Sequence, residues 1–150
     1  MKKNITGAVL FVLLSVSFAF AHNDKNKAGI TPGIETAFYK EFSNAKDANW
    51  TKFQNYYRVQ FTLNDRIFFA LQNLNGEVIG FYRNILSTQL PIQLEAGLKK
   101  NYNQYWISEL FELVQDNQTF YYVTLENANN TVTLKSENGA DWSSFQQSKK

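Results

Sequence analysis

The stretch WTKFQNYYRVQFTLNDRIFFALQNLNGEVIGFYRN, residues 50–84, decides the architecture. It reads as four consecutive antiparallel strands broken by three short turns. Over residues 56–63 the chain alternates with the period of a strand: Tyr57, Val59, Phe61 and Leu63 share one face, and Tyr56, Arg58, Gln60 and Thr62 the other. Asn64-Asp65 suits a two-residue turn, because both side chains tolerate positive φ. That turn pairs Phe61 with Phe68 and Val59 with Ala70. A turn over residues 73–76, Asn-Leu-Asn-Gly, then sets Ile79 against Ala70 and Phe81 against Phe68, completing a core face. Ile67, Phe69, Leu71, Val78 and Tyr82 fall on the second face, around Gly80, and leave it unusually apolar. A three-residue turn over residues 64–66 is the alternative; it would swap the parity of the next strand and send Phe69 into the core.

On the N-terminal side a helix is signalled by Thr31 as a cap, Pro32 at the first helical position and Glu35 near the positive dipole end. Ile34, Ala37, Phe38 and Phe42 line one face of it and are expected to pack on the sheet. Residues 44–49 then lead into the meander. The polar residues 22–30 read as an N-terminal arm. Residues 1–21 read as a secretory signal, with Lys2 and Lys3, an apolar run over residues 8–18 and the cleavage site Ala19-Phe20-Ala21. The run is too short for the roughly 20 residues that span a bilayer. No membrane insertion is expected after cleavage, and the location is expected to be periplasmic or secreted.

On the C-terminal side Pro91 opens a second helix, with Leu94, Leu98 and Tyr102 at steps of four and Lys99 and Lys100 in its last turn. Gly97 weakens it by about 1 kcal/mol relative to Ala. Four more strands follow, over residues 105–116, 119–126, 131–136 and 142–147, with turns at Asn117-Gln118, residues 127–130 and residues 137–141. A four-residue loop at 127–130 pairs Leu125 with Val132 and Val123 with Leu134 inside, and Thr124 with Thr133 and Tyr122 with Lys135 outside. The expected fold is therefore α+β: two tandem helix-plus-four-strand units, about residues 31–85 and 86–150, forming one antiparallel eight-stranded sheet with both helices on one face. The opposite face is then left open to a partner.

Charge and composition narrow the function. The chain has 15 basic and 13 acidic residues. Cleavage removes two lysines and no acid, so residues 22–150 carry no net charge. Nucleic acid is not expected as a partner, since no positive footprint exists for phosphates. With no cysteine there are no disulfides, thiol nucleophiles or thiolate metal sites. About 129 residues suffice for a single domain with its own core. The 13 Phe, 8 Tyr and 3 Trp suit half-buried pleated surfaces.

Several runs carry a family resemblance: NAKDANWTKFQNYYRVQFTLN (residues 44–64), STQLPIQLEAGLKKNY (87–102), YWISELFEL (105–113), TFYYVTLEN (119–127) and DWSSF (141–145). Together they resemble a family of small secreted PepSY-like bacterial proteins. The resemblance implies a fold like that of β-lactamase-inhibitor protein and a role as a periplasmic binding or inhibitor-like module. It implies no particular functional residues.

No catalytic or cofactor constellation emerges. The single histidine, His22, would form the mature N-terminus, where an α-amine beside an imidazole can chelate Cu(II) or Ni(II); a residue next to a cleavage site in a polar arm is the simpler reading. No catalytic residue, metal site or cofactor is expected. Glu109 and Glu112, three apart, oppose each other on a strand and read as solvated charges rather than as an acid and base pair. The remaining candidate is the aromatic second face. Tyr56, Arg58, Phe69 and Tyr82 from the first half, with Phe120, Tyr122 and Lys135 from the second, are residue types that anchor interfaces. The leading expectation is a non-enzymatic module that docks a protein or peptide there, as a monomer. The alternatives are a carboxylate-based glycan-processing hydrolase, or a structural envelope protein that closes a homodimer through this face.

Overall fold

The computed structural model describes residues 29–149. The signal, residues 22–28 of the arm and the chelating reading of His22 lie outside the described residues. Two helices, α1 (Pro32–Glu41) and α2 (Ile92–Asn101), each precede four strands. The first set is β1 (Lys46–Lys52), β2 (Tyr56–Leu63), β3 (Arg66–Asn73) and β4 (Val78–Asn84). The second set is β5 (Trp106–Gln115), β6 (Gln118–Glu126), β7 (Asn130–Ser136) and β8 (Ser143–Lys149). All eight strands form one antiparallel sheet in sequence order, so the fold is α+β.

The tight turns fix the register. Asn64 and Asp65 have φ of 49° and 59°, and the two-residue turn they make pairs Phe61 with Phe68 and Val59 with Ala70, as expected. The pairs Leu125–Val132, Val123–Leu134, Thr124–Thr133 and Tyr122–Lys135 also form as read. Other expectations are corrected. The β5–β6 turn is Asp116-Asn117, both at positive φ, one residue earlier than Asn117-Gln118. β1 begins at Lys46, because a bulge between Lys46 and Asn49, with Asp47 at φ 53°, hides its alternation.

The largest correction lies between β3 and β4. Gly76, at φ +91°, donates its N–H to the Asn73 carbonyl, and the Asn73 N–H bonds Glu77, closing a loop one residue longer than expected. A bulge between Leu71 and Gln72 adds a further slip. The two shifts together restore parity, so Phe81 and Tyr82 keep their expected faces while Ala70 pairs with Phe81 and Phe69 with Tyr82. Between them parity is reversed. Val78 joins the helix side and Ile79 packs on the second face, the opposite of their expected places.

Both helices cover the same sheet face. Under α1, the buried Ile34, Phe38 and Phe42 meet Trp50, Tyr57, Val59, Phe61 and Ala70. The Phe38 ring lies 5.2 Å from Trp50 and 5.1 Å from Phe61, centroid to centroid. Under α2, Leu94 and Leu98 meet Leu110, Val123, Leu125, Val132 and Leu134. Thr31 stands at the N-cap of α1 without a side-chain cap bond, its carbonyl instead accepting the Ile34 and Glu35 N–H groups. Pro91 is the N-cap residue of α2 rather than its first helical residue. The buried Gln72 ties α1 to the sheet, its Nε2 donating to the carbonyls of Ile34 (3.0 Å) and Gly76 (2.6 Å).

Gly97 has a packing reason. A Cβ there would lie 3.3 Å from Cδ1 of Trp142, and that indole is pinned because its Nε1–H donates to the Leu94 carbonyl at 2.9 Å. The helix-propensity gain of about 1 kcal/mol for Gly→Ala is therefore expected to be cancelled or reversed in Gly97→Ala. In a Trp142→Ala background the same change should recover that gain. Urea denaturation of the four proteins of this cycle checks the coupling; simple additivity would exclude it.

Candidate functional site

The second sheet face brings the seven sequence-derived residues together. The register aligns Phe69 with Tyr82, Tyr82 with Leu113, Phe111 with Tyr122 and Tyr122 with Lys135, running from β3 to β7. Tyr56, Phe69, Leu71, Tyr82, Phe111, Leu113 and Tyr122 form one continuous cluster, with Phe53, Ile79, Phe120 and Phe145 packed against it. The rings stack across the strands. Centroids are 4.6 Å apart for Phe53–Tyr56, 4.8 Å for Phe69–Tyr82 and 5.1 Å for Phe111–Tyr122, with interplanar angles of 7°, 12° and 15°. Phe145, in the β7–β8 bulge, meets Tyr122 edge-on.

Mutual packing buries much of this face. Tyr56, Tyr82 and Tyr122 retain 3, 9 and 2% of their accessible surface, and Phe69 is buried with them. Arg58, Phe120 and Lys135 are half-buried. The four buried rings are thus the floor of the face, and the other three residues are the groups within a partner's reach.

Two cations lie on the rings. The Arg58 guanidinium is 5.5 Å from the Phe53 centroid and 5.8 Å from that of Phe69. Lys135 Nζ is 4.6 Å from the Phe120 centroid and also pairs with Glu137. Burial pushes the Tyr82 phenol up to about 12, opposed by the charge of Arg58 and a hydrogen bond from it. Burial likewise raises Tyr122, and the Glu137 charge adds to it. Tyr56 is raised by burial against the opposing Arg58 charge, and its buried hydroxyl has no hydrogen-bond partner among the described residues.

The two glutamates three apart separate as expected of a strand. Glu112 pairs across the sheet with Arg83 and bonds its Nε. Glu109 pairs with Thr124 on the aromatic face. It is half-buried rather than solvated, and burial raises its carboxyl above the usual value against a bond from Thr124. It lines a notch of about 330 Å³ with Asn84, Leu86, Ile107 and Ser108, where Leu86 and Ile107 are 69 and 41% exposed. Sequence reading missed Phe53, Phe111 and Glu109 as members of this face. Alternation back from Leu113 through Phe111 to Glu109 could have placed both residues on this face, because the register slip of β5 falls before Glu109, between it and Ile107. Among the described residues no group of three or more His, Cys, Asp or Glu side chains could hold a metal, and no helix is long and apolar enough to cross a membrane.

No family model matches the chain, and no curated protein matches it. Solved structures do. A DUF2874 family protein from Bacteroides uniformis superimposes with a TM-score of 0.70 at 10% identity, over 80% of this chain and 89% of the other. A BLIP-like protein from Bacteroides fragilis gives 0.68 at 19% identity, over 79 and 85%. A candidate periplasmic protein from Bacteroides eggerthii gives 0.66 at 11% identity, over 79 and 88%. At these identities the likeness is one of fold: this chain has the BLIP-like architecture, in agreement with the fold expected from its sequence.

The raised carboxyl of Glu109 has a measurable consequence. The folded state holds that proton more tightly than the unfolded chain, so its contribution to stability is complete below the ordinary glutamate value and is lost as pH rises through the raised folded value. Glu109→Gln should therefore melt above the parent at pH 7 and converge with it toward pH 4, as read by calorimetry. Equal differences at both pH values would show that Glu109 is solvated. By the same sign, Tyr82 contributes full stability below about pH 10 and loses it toward about pH 12.

Proposed function

We propose that the chain is a non-enzymatic exported binding module, PepSY-like and built as two tandem helix-plus-four-strand units. It docks a protein or peptide on its aromatic sheet face and acts, in the manner of an inhibitor, by covering its partner. The observation that carries this reading is the cluster of stacked rings opposite the two helices, with half-buried Arg58, Phe120 and Lys135 on it. Aromatic and Arg side chains in that arrangement are typical interface anchors. The BLIP-like fold and the description of a similarly folded protein as a candidate periplasmic protein support a periplasmic module of this kind. The hydrolase alternative loses support because Glu109 and Glu112, three apart on β5, pair into opposite faces and Glu112 is engaged by Arg83.

The burial of the tyrosines sets how the site is tested. Tyr82→Ala removes a buried stacked ring and should cost about 3 kcal/mol of stability, so it cannot report binding alone. A photo-crosslinking residue in place of half-buried Phe120 avoids this. Installed in the native host's envelope, it should trap one dominant partner. The same group at the exposed Tyr39 of α1, on the helix side, should trap none. Equal products from both positions, or none from either, would remove the face as a docking site. A product of twice the chain's own mass would instead favour the homodimer.

A further inference from the structure

Two unpaired charges of opposite sign flank Tyr82 on the aromatic face. Among the described residues, the ion pairs are Arg83–Glu112, Lys99–Glu95 and Lys135–Glu137, and neither Arg58 nor Glu109 takes part in one. Both act on the same phenol: Arg58 through its charge and a hydrogen bond, Glu109 through its charge. The Arg58 guanidinium lies over Phe53 and Phe69 and is engaged by no carboxylate among the described residues, which leaves N–H donors for an acceptor from a partner. Beside it the buried Tyr56 hydroxyl is a donor with no partner among the described residues. Glu109 lies at the other end, in the notch rimmed by exposed Leu86 and Ile107. A partly desolvated carboxylate beside exposed apolar side chains suits the aliphatic stem and charged head of a Lys or Arg.

We infer that the partner docked on this face is an extended protein segment with an acidic side chain for Arg58 and a basic side chain for Glu109, separated by apolar residues that lie over Tyr82 and Phe111. This assignment rests on the docking reading above and specifies the chemistry of its partner. Charge complementarity selects the occupant, because a uniformly acidic or basic segment would leave one of the two half-buried charges repelled. Three strand spacings separate β2 from β5, about 14 Å, and Glu109 lies six positions along β5 from the row of Arg58, Leu71 and Gly80, about 20 Å, so that about seven residues of extended chain join the two charges.

The test is selection of a random displayed peptide library on the purified protein, followed by affinity measurement on variants. Selected peptides should carry an acidic and a basic residue about five to eight positions apart with apolar residues between. Arg58→Gln should abolish the acidic preference and weaken binding at least tenfold. Glu109→Gln should do the same for the basic position, and Arg58→Glu combined with Glu109→Arg should invert the order of the two charges. Arg58→Lys, which keeps the charge, should retain the acidic preference, and the double exchange of charges decides the assignment if Arg58→Gln fails to fold. Peptides that bind Arg58→Gln and Glu109→Gln unchanged but lose affinity to Phe120→Ala would overturn the charge assignment and leave docking on the face intact. Peptides indifferent to all three substitutions, or the recovery of none, would overturn both.

Discussion

An eight-stranded sheet has two faces to cover, and this chain supplies helices for one. The rest of the structure follows from how the second face is handled. On the helix side the solution is familiar: Ile34, Phe38 and Phe42 from α1 and Leu94 and Leu98 from α2 close over Val59, Ala70, Val123 and Leu134. On the other side the side chains cover each other. Flat rings from neighbouring strands lie at stacking distance, and the charged heads of Arg58 and Lys135 lie over Phe69 and Phe120. Aromatic side chains suit this task, because each buries a large apolar area and the preferred ring geometry fits the spacing between strands. The arrangement also explains why Tyr recurs: its ring belongs in the floor, while its hydroxyl needs a polar neighbour. Tyr82 has one in Arg58; Tyr56 has none.

This distinction bears on function. The groups that hold the face together and the groups that a partner can touch are different residues, although they alternate along the same strands. Replacing the floor loosens the domain, while replacing Arg58, Phe120 or Lys135 changes what the surface presents. The balance of charge has a local counterpart: a chain expected to be neutral after cleavage still separates a cation at β2 from an anion at β5 on one surface.

Much of this organisation was legible in the residues, wherever two-residue periodicity ran unbroken into a turn with a definite conformation. Asn64-Asp65 set the β2–β3 register, and Asn127 to Asn130 set that of β6–β7, because Asn and Asp accept positive φ or bond their own backbone. The reading failed at bulges. Ile79 and Val78 exchanged sides and β1 began early, each next to a one-residue slip that leaves little mark on composition. Membership of the candidate face was legible from residue type and alternation. Its degree of burial was not, since that depends on rings from five strands meeting in space.

Strand order has a consequence for how the molecule forms. Six of the seven pairings join strands connected by a turn or a short loop; only β4 and β5 meet across an intervening helix, with Arg83 and Glu112 29 positions apart. Contacts between near neighbours close quickly, because little loop entropy is lost in making them. The first four strands and α1 can therefore assemble while the remainder is still unfolded. The pairing with the largest loop-closure cost is that of β5 with β4, which brings Phe111 and Tyr122 to the edge formed by Phe69 and Tyr82. The aromatic face, which takes members from both sides of that junction, thus depends for its completion on the most costly pairing in the sheet.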